Sequence, residues 1–379
     1  MTTPGAGHLQ GPAEPIPLTV LTGFLGAGKT TLLNRLLSDP AFAGTAVIVN
    51  EFGEIGLDHL LVKSIDDNVV LLQSGCLCCT LRGDLVTALE SLVRDLDNGR
   101  LTFNRVVLET TGLADPAPVL QTAMAHPYLV MRYRLDGVLV AVDAINGAGT
   151  LDRHMESVKQ VAVADRIVLT KTDLVDNPEQ REGKADLLAR LAALNPAAPV
   201  LDAAAGDATP KRLLNCGLFD PASKSADVRR WLAAEAYEDA GHRHHHHNHD
   251  RNRHDDHIRA FTLVADTPIP AASFEMFIDL VRSLHGPKLL RLKGVVCIAE
   301  SPDQPLVVHG VQHVMHPPAR LPSWPDDDRR TRMVVIARDL APEAVTTLFD
   351  AFLNRAATGQ PDRAALTDNP LVPFGGIDR

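Results

Sequence analysis

Two short motifs contain residues whose types and spacing predict ligand binding. The first has the pattern Gly-x-x-x-x-Gly-Lys-Thr and spans residues 23–30. Glycines let a backbone fold around phosphate groups with its amides pointing inward. The second motif places three thiols at Cys76, Cys78 and Cys79, a compact set of soft metal ligands. A chain that holds both could make its metal affinity depend on the bound nucleotide.

The glycine-rich motif lies between a predicted strand at 18–22 and a predicted helix at 30–37, which is the context expected of a triphosphate site. We expect Lys29 to reach the β- and γ-phosphates and the Thr30 hydroxyl to hold Mg²⁺. The helix N-terminus adds its dipole. The alternative is a glycine-rich turn without a ligand. The predicted nucleotide-binding residues of this loop are Gly23, Gly26, Ala27, Gly28, Lys29, Thr30 and Thr31.

Glu109 ends an apolar strand predicted at 105–110, the position of the acidic residue in a Walker B motif. There it would lie near Mg²⁺ through a water molecule. The alternative is a carboxylate at a strand end without a catalytic role. With Lys29, Thr30 and Asp58, it makes up the predicted catalytic set.

Asp58 belongs to segment 50–59, which occupies the position of switch I. Two glycines in this segment allow it to rearrange when the γ-phosphate is lost. Asp58 is a candidate for the Mg²⁺ shell or for orienting the attacking water. Glu54 and His59 are candidates for completing the thiol metal site. No glutamine is evident that would position water, so we expect slow intrinsic turnover.

A third motif follows the strand predicted at 166–170, and it contains Thr170, Lys171 and Asp173. GTPases carry Asn-Lys-x-Asp at this place, where the Asp accepts hydrogen bonds from guanine and the Lys stem lies over the base. Thr170 replaces the Asn. Because adenine would leave the carboxylate unpaired, the motif favours GTP over ATP. It also argues against a P-loop kinase.

The three thiols follow a strand predicted at 69–73. Thiolates select Zn²⁺ or Cu(I) over Mg²⁺, and an open fourth position suits a site that passes its metal on. Gly75 before the thiols and Arg82 after them indicate a turn, and Arg82 would favour the thiolate form. A redox pair and small buried hydrophobic residues are the alternatives. Cys216 and Cys297 stand apart and are predicted to be structural.

Eight histidines lie between His242 and His257. Neutral imidazoles bind divalent metals, so the tract is a candidate accessory metal buffer near the thiols. A solvated linker without function and an expression tag are the alternatives. The predicted buffer residues are His244, His245, His246, His247 and His249. His309, His313 and His316 lie on one predicted strand, with the first two on the same side, and are expected to be ordinary domain residues.

The elements that must position these motifs alternate between strand and helix. The strand candidates are rich in Val, Leu and Ile with little polar alternation, as in strands buried on both faces of a parallel sheet. They cover 18–22, 46–50, 69–73, 105–110, 137–143 and 166–170, with helices at 30–37, 81–96, 117–125 and 184–194. The fold class is therefore α/β, a P-loop NTPase with a doubly wound, mainly parallel sheet. All three motifs would lie at its carboxyl edge.

A second, smaller α+β domain is predicted at the C-terminal side. Its strands are expected at 258–264, 288–299, 306–316 and 332–337, and its helices at 271–284 and 342–353. The predicted division of the chain is a disordered leader (1–16), a GTPase domain (17–205), a linker with the histidine tract (206–257), the second domain (258–357) and a tail (358–379).

Composition limits the partners. A formal net charge of −10 argues against nucleic acid binding, and no apolar run is long enough to span a membrane. Three of five cysteines lie in one tetrapeptide, which is no disulfide framework. A reducing compartment follows, and we expect the cytoplasm.

Over nearly its whole length the sequence resembles the CobW-like GTPases of the SIMIBI class, relatives of HypB and UreG. The motifs that carry the resemblance lie at 22–34, 50–56, 75–79 and 109–116. The resemblance implies a GTPase that uses GTP and Mg²⁺, binds zinc at Cys76, Cys78 and Cys79, and delivers it to a client metalloprotein. It also implies a CobW-type C-terminal domain. Relatives of this class often pair through their nucleotide edges, so a homodimer is one expected arrangement.

Two alternatives to zinc delivery stay open. In the first, the protein is a metal buffer or sensor in which GTP only gates binding. In the second, it handles cobalt in cobalamin biosynthesis. A thiolate trio should prefer zinc to cobalt, so competitive loading of the two metals would separate the second alternative from zinc delivery.

Overall fold

The computed structural model describes residues 14–50, 71–74, 77–214, 216, 257–312, 314–315 and 318–353. In these ranges the chain forms two β-sheets, one of seven parallel strands and one of six antiparallel strands. The parallel sheet belongs to the N-terminal part of the chain and the antiparallel sheet to the C-terminal part. This confirms the predicted fold class.

The parallel sheet has the spatial order β3-β2-β4-β1-β5-β6-β7. Its strands are β1 (Ile16–Gly23), β2 (Thr45–Asn50), β3 (Leu71–Ser74), β4 (Arg105–Glu109), β5 (Tyr133–Asp143), β6 (Arg166–Thr170) and β7 (Val200–Asp202). The helices of this part are α1 (Lys29–Leu37), α2 (Leu77–Asp97), α3 (Pro116–Ala125), α4 (Leu129–Arg132), α5 (Gly147–Arg153), α6 (Met155–Val163), α7 (Pro178–Leu194) and α8 (Pro210–Leu213).

Both faces of the parallel sheet are buried, as its apolar strands predict. In β4, Val106 and Leu108 pack in a core cluster that includes residues of α2, α3 and α6. Val107, between them, packs on the opposite face with residues of α1. Full burial of such a side chain stabilises the fold by about 1.5–3 kcal/mol. Its polar residues therefore lie at its two ends, with Arg105 at the start and Glu109 at the carboxyl end.

Several boundaries differ from the predictions. Helix α7 begins at Pro178, six residues before the predicted start, because Asn177 accepts a 2.9 Å hydrogen bond from the Gln180 amide and caps the helix. Strand β5 begins at Tyr133, four residues before the predicted start. Helix α2 begins at Leu77 instead of residue 81. The sequence analysis did not predict α4, α5, α6, α8 or β7.

The antiparallel sheet comprises β8 (Ile258–Ala265), β9 (Leu289–Val296), β10 (Leu306–Val311), β11 (Val314–Met315), β12 (Ala319–Arg320) and β13 (Thr331–Arg338). Two helices, α9 (Ala271–His285) and α10 (Pro342–Phe352), cover one of its faces. Phe277 and Phe349, with ring centroids 5.1 Å apart, pack between these helices. The other face contributes Leu290 and Val334 to the core cluster of the parallel sheet.

The strand predicted at 306–316 is wrong in one respect. The chain reverses after Val311 through Gln312, which has a positive φ of 52°, and Val314 then pairs back onto Val311. The prediction of one continuous strand, from which the same-side arrangement of His309 and His313 was inferred, is therefore wrong. His309 is buried on β10, opposite Lys293 of β9. His313 and His316 lie outside the described residues.

Among the helices of the described ranges, none is both long and apolar enough to cross a membrane.

Candidate nucleotide and metal site

The phosphate loop connects the end of β1 to the start of α1. Gly23 has a φ of 140°, and a Cβ there would lie 2.4 Å from the carbonyl oxygen of Ala141 on the neighbouring strand. Gly28 caps α1 in the left-handed conformation, with φ 84°. Residues with a side chain rarely adopt these backbone conformations, so glycine is required at both positions. The loop therefore has the backbone geometry that its sequence predicts.

Lys29 and Thr30 begin α1 beside this loop. The Lys29 ammonium donates hydrogen bonds to the carbonyl oxygens of Gly23, at 2.9 Å, and Phe24, at 3.2 Å. Its charge therefore lies over the loop, where it could bind an anionic group. Thr30 Oγ1 donates a 3.0 Å hydrogen bond to Oε1 of Glu109.

Glu109 is 4% exposed and ends β4, directly beside β1. The Thr30 hydroxyl and the Glu109 carboxylate thus offer two adjacent oxygen atoms next to the phosphate loop. Oxygen donors of this kind suit Mg²⁺, which usually takes one or two protein ligands beside the phosphates of its substrate. The residues present therefore fit the predicted magnesium site.

The loop after β4 packs directly on the phosphate loop. A Cβ at Gly112 would lie 2.4 Å from the backbone nitrogen of Leu25, so no other residue fits this close approach. Asp115 ends the loop and caps α3 by accepting a 3.0 Å hydrogen bond from the Ala117 amide. The segment that follows Glu109 thus packs on the phosphate loop at Gly112 and ends at Asp115, in the cap of α3.

The residues of the third motif have different surroundings. Thr170 is buried, and its hydroxyl lies 2.8 Å from the carbonyl oxygen of Ala27 in the phosphate loop and 3.1 Å from that of Val142. Lys171 follows with a φ of 56° and pairs with Asp143, with 2.7 Å between Nζ and Oδ2. Asp173 lies in an exposed turn, Thr172–Leu174.

Asp143, at the end of β5, holds Lys171 in position and was missed by the sequence analysis. Burial favours the neutral form of this carboxyl, but hydrogen bonds from Lys171, Asn146 and the Ile145 amide outweigh it and lower its pKa. Asp143 therefore stays ionised, and Lys171 keeps its charged partner. An acidic residue at the carboxyl end of a buried strand was the available signal.

The thiol motif follows β3 at the same edge of the sheet. Strand β3 pairs in parallel with β2, with Ser74 in register with Asn50, and is the outermost strand on this side. Cys78 and Cys79 lie in the first turn of α2. The predicted turn is wrong for these two residues, because the helix begins four residues earlier than expected.

Several predicted site residues cannot be placed. Those outside the described residues are Cys76, Glu54, Asp58, His59, His244, His245, His246, His247 and His249. Cys216 and Cys297 are both buried, consistent with the structural role predicted for them.

Two family models match the chain. Residues 17–202 match the model described as CobW/HypB/UreG, nucleotide-binding domain, and residues 258–353 match the cobalamin synthesis protein cobW C-terminal domain. These two ranges contain the parallel and the antiparallel sheet respectively.

Curated proteins and a solved structure are similar along most of the chain. The zinc chaperone YjiA of Escherichia coli (strain K12) is 34% identical over 338 residues, which cover 89% of this chain and 98% of that protein. The zinc chaperone CobW of Pseudomonas aeruginosa is 31% identical, covering 87% and 89%. The crystal structure of Zn(II)-bound YjiA GTPase from E. coli aligns with a TM-score of 0.64 at 30% identity, covering 89% of this chain and 99% of that one.

Proposed function

The chain belongs to the CobW/HypB/UreG family, and from this we propose that it is a GTP-hydrolysing metallochaperone. It binds zinc at Cys76, Cys78 and Cys79 and transfers the zinc to a client metalloprotein. The observation that carries the proposal is the hydrogen bond between Thr30 and Glu109 beside the phosphate loop. It brings together the oxygen ligands that Mg²⁺ needs for nucleotide hydrolysis.

Each group of the nucleotide site has a role in this proposal. Lys29 binds the β- and γ-phosphates, and the amides of the phosphate loop hold the same groups. Thr30 and Glu109 would hold Mg²⁺, which neutralises charge on the phosphates when bound. Asp58 orients the attacking water.

The base site selects guanine through Asp173, with the stem of Lys171 over the ring. Thr170 has a different role in the proposal, since its hydroxyl already bonds to the phosphate loop. It supports the loop on which the nucleotide lies, and base selection rests on Asp173. The departure from Asn at this position therefore leaves the preference for GTP intact.

Zinc is the cargo, and the nucleotide controls its release. The thiol motif follows β3, and the phosphate loop follows β1, so both lie at the carboxyl edge of one sheet. Segment 50–59, which begins at the last residue of β2, would change its position when GTP is hydrolysed. A ten-thousand-fold change in zinc affinity requires about 5.5 kcal/mol of differential binding. Structural zinc sites bind with about 10–16 kcal/mol, so hydrolysis need only weaken the site.

The remaining assignments are part of the same proposal. The GTPase domain covers 17–205, the histidine-rich linker 206–257 and the second domain 258–357. The histidines of the linker, His244–His247 and His249, act as an accessory zinc buffer. The client docks on the second domain, and two copies of the chain can pair through their nucleotide edges. The compartment is the cytoplasm, where thiols stay reduced.

Zinc titrations by calorimetry test the proposal, with the protein free of nucleotide, loaded with GDP, and loaded with a non-hydrolysable GTP analogue. We expect zinc affinity to differ between the GDP and analogue forms, and phosphate to be released from GTP but not from ATP. Identical zinc affinities in all three forms would contradict the proposal. Equal zinc transfer to an apo-metalloenzyme with GTP and with the analogue would mean that GTP binding controls the zinc site without hydrolysis.

A further inference from the structure

Helix α6 contacts the phosphate loop where the helix begins. His154, which precedes the first helical residue, places its ring 4.4 Å from that of Phe24, with the planes tilted by 30°. Phe24 lies within the phosphate loop. Aromatic rings at about this distance attract each other beyond the effect of simple burial. The start of α6 is therefore packed against the loop that holds the phosphates.

The middle of α6 holds the loop that follows β4. Gln160 is 1% exposed, and its side-chain nitrogen donates hydrogen bonds to the carbonyl oxygens of Ala114, at 3.0 Å, and Gly112, at 3.3 Å. The reverse orientation of the amide would set oxygen against oxygen. The preceding residue, Lys159, pairs with Asp115 at 2.9 Å. Two neighbouring side chains of one helix thus fix three positions of the loop.

Among the described residues, the side-chain oxygen of Gln160 is buried and makes no hydrogen bond. Buried polar atoms are usually paired, so an unpaired one calls for an explanation. The two bonds from the nitrogen alone hold this amide in place. If Gly112 and Ala114 moved, the side-chain amide of Gln160 would lose both hydrogen bonds. The interaction energy of Gln160 therefore depends on the conformation of the loop.

The C-terminal end of α6 holds the second domain. Arg291 of β9 lies 2.6 Å from Oδ1 of Asp165 and also donates a hydrogen bond to the carbonyl oxygen of Val163. Lys293 of β9 pairs with the same carboxylate oxygen. The other oxygen of Asp165 accepts a 2.9 Å hydrogen bond from the Val138 amide of β5. One buried carboxylate therefore joins the end of α6, the parallel sheet and the second domain.

Electrostatics favour the ionised form of Asp165 in this contact. Burial favours neutral Asp165, but the charges of Arg291 and Lys293 outweigh it and hold the pKa of this carboxyl well below its usual range. Removing one partner from a buried pair leaves an uncompensated charge, so the arrangement has few alternatives. Helix α3, which begins after the same loop, also reaches the second domain, with 2.8 Å between the amides of Gln121 and Gln312.

We infer that α6 couples the loop after β4 to the second domain, so that a nucleotide-dependent change in this loop alters how the second domain is held. Gln160, in the middle of the helix, is the positioning residue toward the loop, and Arg291 makes the contact at the C-terminal end. This inference rests on the proposed GTPase activity. It adds a physical route by which the nucleotide would reach the domain proposed to dock the client.

A double-mutant cycle in the full chain tests the coupling. The variants are Gln160→Met, Arg291→Met and the combination of both, and the readout is the ratio of the dissociation constants for GDP and a non-hydrolysable GTP analogue. We expect each single variant to change this ratio about fivefold or more. The combined variant should change it no further than the larger single effect. A purely structural role would lower stability without changing the ratio.

Arg332→Met is the matched control. Arg332 is as buried as Arg291 and pairs with Asp326 at 2.7 Å, but both residues lie within the second domain. This variant should leave the ratio unchanged. If Arg291→Met does not fold, Arg291→Lys replaces it, and hydrogen exchange at the amides of 110–115 becomes the readout. Altered protection there is then expected, and wild-type protection would overturn the inference.

Two results of the cycle would overturn the coupling: an unchanged ratio in Arg291→Met, or single effects that multiply in the combined variant. Failure of the proposed function is a different outcome. In that case the wild-type chain itself would not bind or hydrolyse GTP. A wild type that hydrolyses GTP, with variants that show no coupling, contradicts the α6 inference alone.

Discussion

The hydroxyl of Thr170 lies 2.8 Å from the carbonyl oxygen of Ala27. The bond joins the end of β6 to the phosphate loop, and Thr170 is 6% exposed. The residue that departs from the usual guanine motif therefore touches the loop that is proposed to bind the phosphates. Thr170 therefore supports the loop, whereas base selection is proposed for Asp173. Substitutions of these two residues can test the two functions separately.

Replacing Thr170 with Val removes the hydroxyl and keeps the shape of the side chain. We expect affinity for GTP and GDP to fall together, with an unchanged ratio of GTP to ATP affinity. Protein stability should fall by about 1–3 kcal/mol, because the buried carbonyl of Ala27 loses its donor. Calorimetry and denaturant unfolding measure both effects. A selective loss of guanine preference would show that Thr170 contacts the base.

Replacing Asp173 with Ala should weaken GTP binding about 10²- to 10⁴-fold and leave ATP binding unchanged. The reason is the loss of two hydrogen bonds to a charged acceptor, each about 1.5–3 kcal/mol. Competition titrations with both nucleotides measure the change. Asp176→Ala is the control, since Asp176 is an exposed acidic residue three positions further on. Retained selectivity in Asp173→Ala would assign base recognition to another residue.

Replacing Lys29 with Ala should reduce GTP affinity by about 10²-fold or more and leave the zinc stoichiometry unchanged. The ammonium lies over the phosphate loop, where it is proposed to make charge-assisted contacts to the phosphates. Nucleotide titration and metal analysis of the same sample provide the two readouts. Lys211→Ala, at an exposed position, is the control. Loss of both activities would mean that the sites are not separable.

Replacing Cys78 with Ser should lower the zinc stoichiometry while GTP binding survives. A serine hydroxyl is a much poorer ligand for zinc than a thiolate. Metal analysis after gel filtration measures the loss. Cys297→Ala is the matched control, because Cys297 is a buried cysteine of the second domain. If Cys297→Ala lowered the zinc content as much as Cys78→Ser, zinc would not be assigned to the thiol motif.

The buried amine of Lys293 predicts a pH dependence of stability. Burial and the nearby charge of Arg291 lower its pKa to about 8, although Asp165 acts in the opposite direction. The unfolded chain, with a Lys pKa of about 10.4, binds more protons than the folded chain between about pH 8 and pH 10. The contribution of Lys293 to the free energy of unfolding should therefore rise with pH in this range.

Denaturant unfolding of wild type and Lys293→Met at pH 7.5, 8.5 and 9.5 measures this contribution. The difference between the two proteins cancels the titration of all other groups. We expect wild type to gain stability relative to Lys293→Met as the pH rises. A constant difference would mean that the folded state does not lower the pKa of Lys293.

The local motifs were predictable because each depends on residues close together in sequence. The phosphate loop requires glycine at Gly23 and Gly28 for backbone reasons that hold in any fold. Strands β1, β4 and β6 were predictable because strands buried on both faces must be apolar throughout. The start of α7 was missed, although Asn177 and Pro178 form a recognisable helix start.

The roles of Thr170 and Gln160 were not predictable from the sequence. Thr170 contacts Ala27 across 143 positions of the chain, and Gln160 contacts Gly112 across 48. A polar residue in a strand or an amphipathic helix gives no sign of its partner until the elements pack. The reversal after Val311 was also missed, since apolar residues stand on both sides of it.

The sequence by itself determined the phosphate loop and the parallel sheet, and it predicted the base motif and the thiol site. It could do so because glycine conformations, ligand chemistry and burial of apolar strands act over short stretches of chain. The tertiary structure alone decided that Thr30 meets Glu109, that Thr170 supports the phosphate loop, and that Asp165 joins the second domain. Those contacts depend on packing between distant elements, which local residue preferences do not encode.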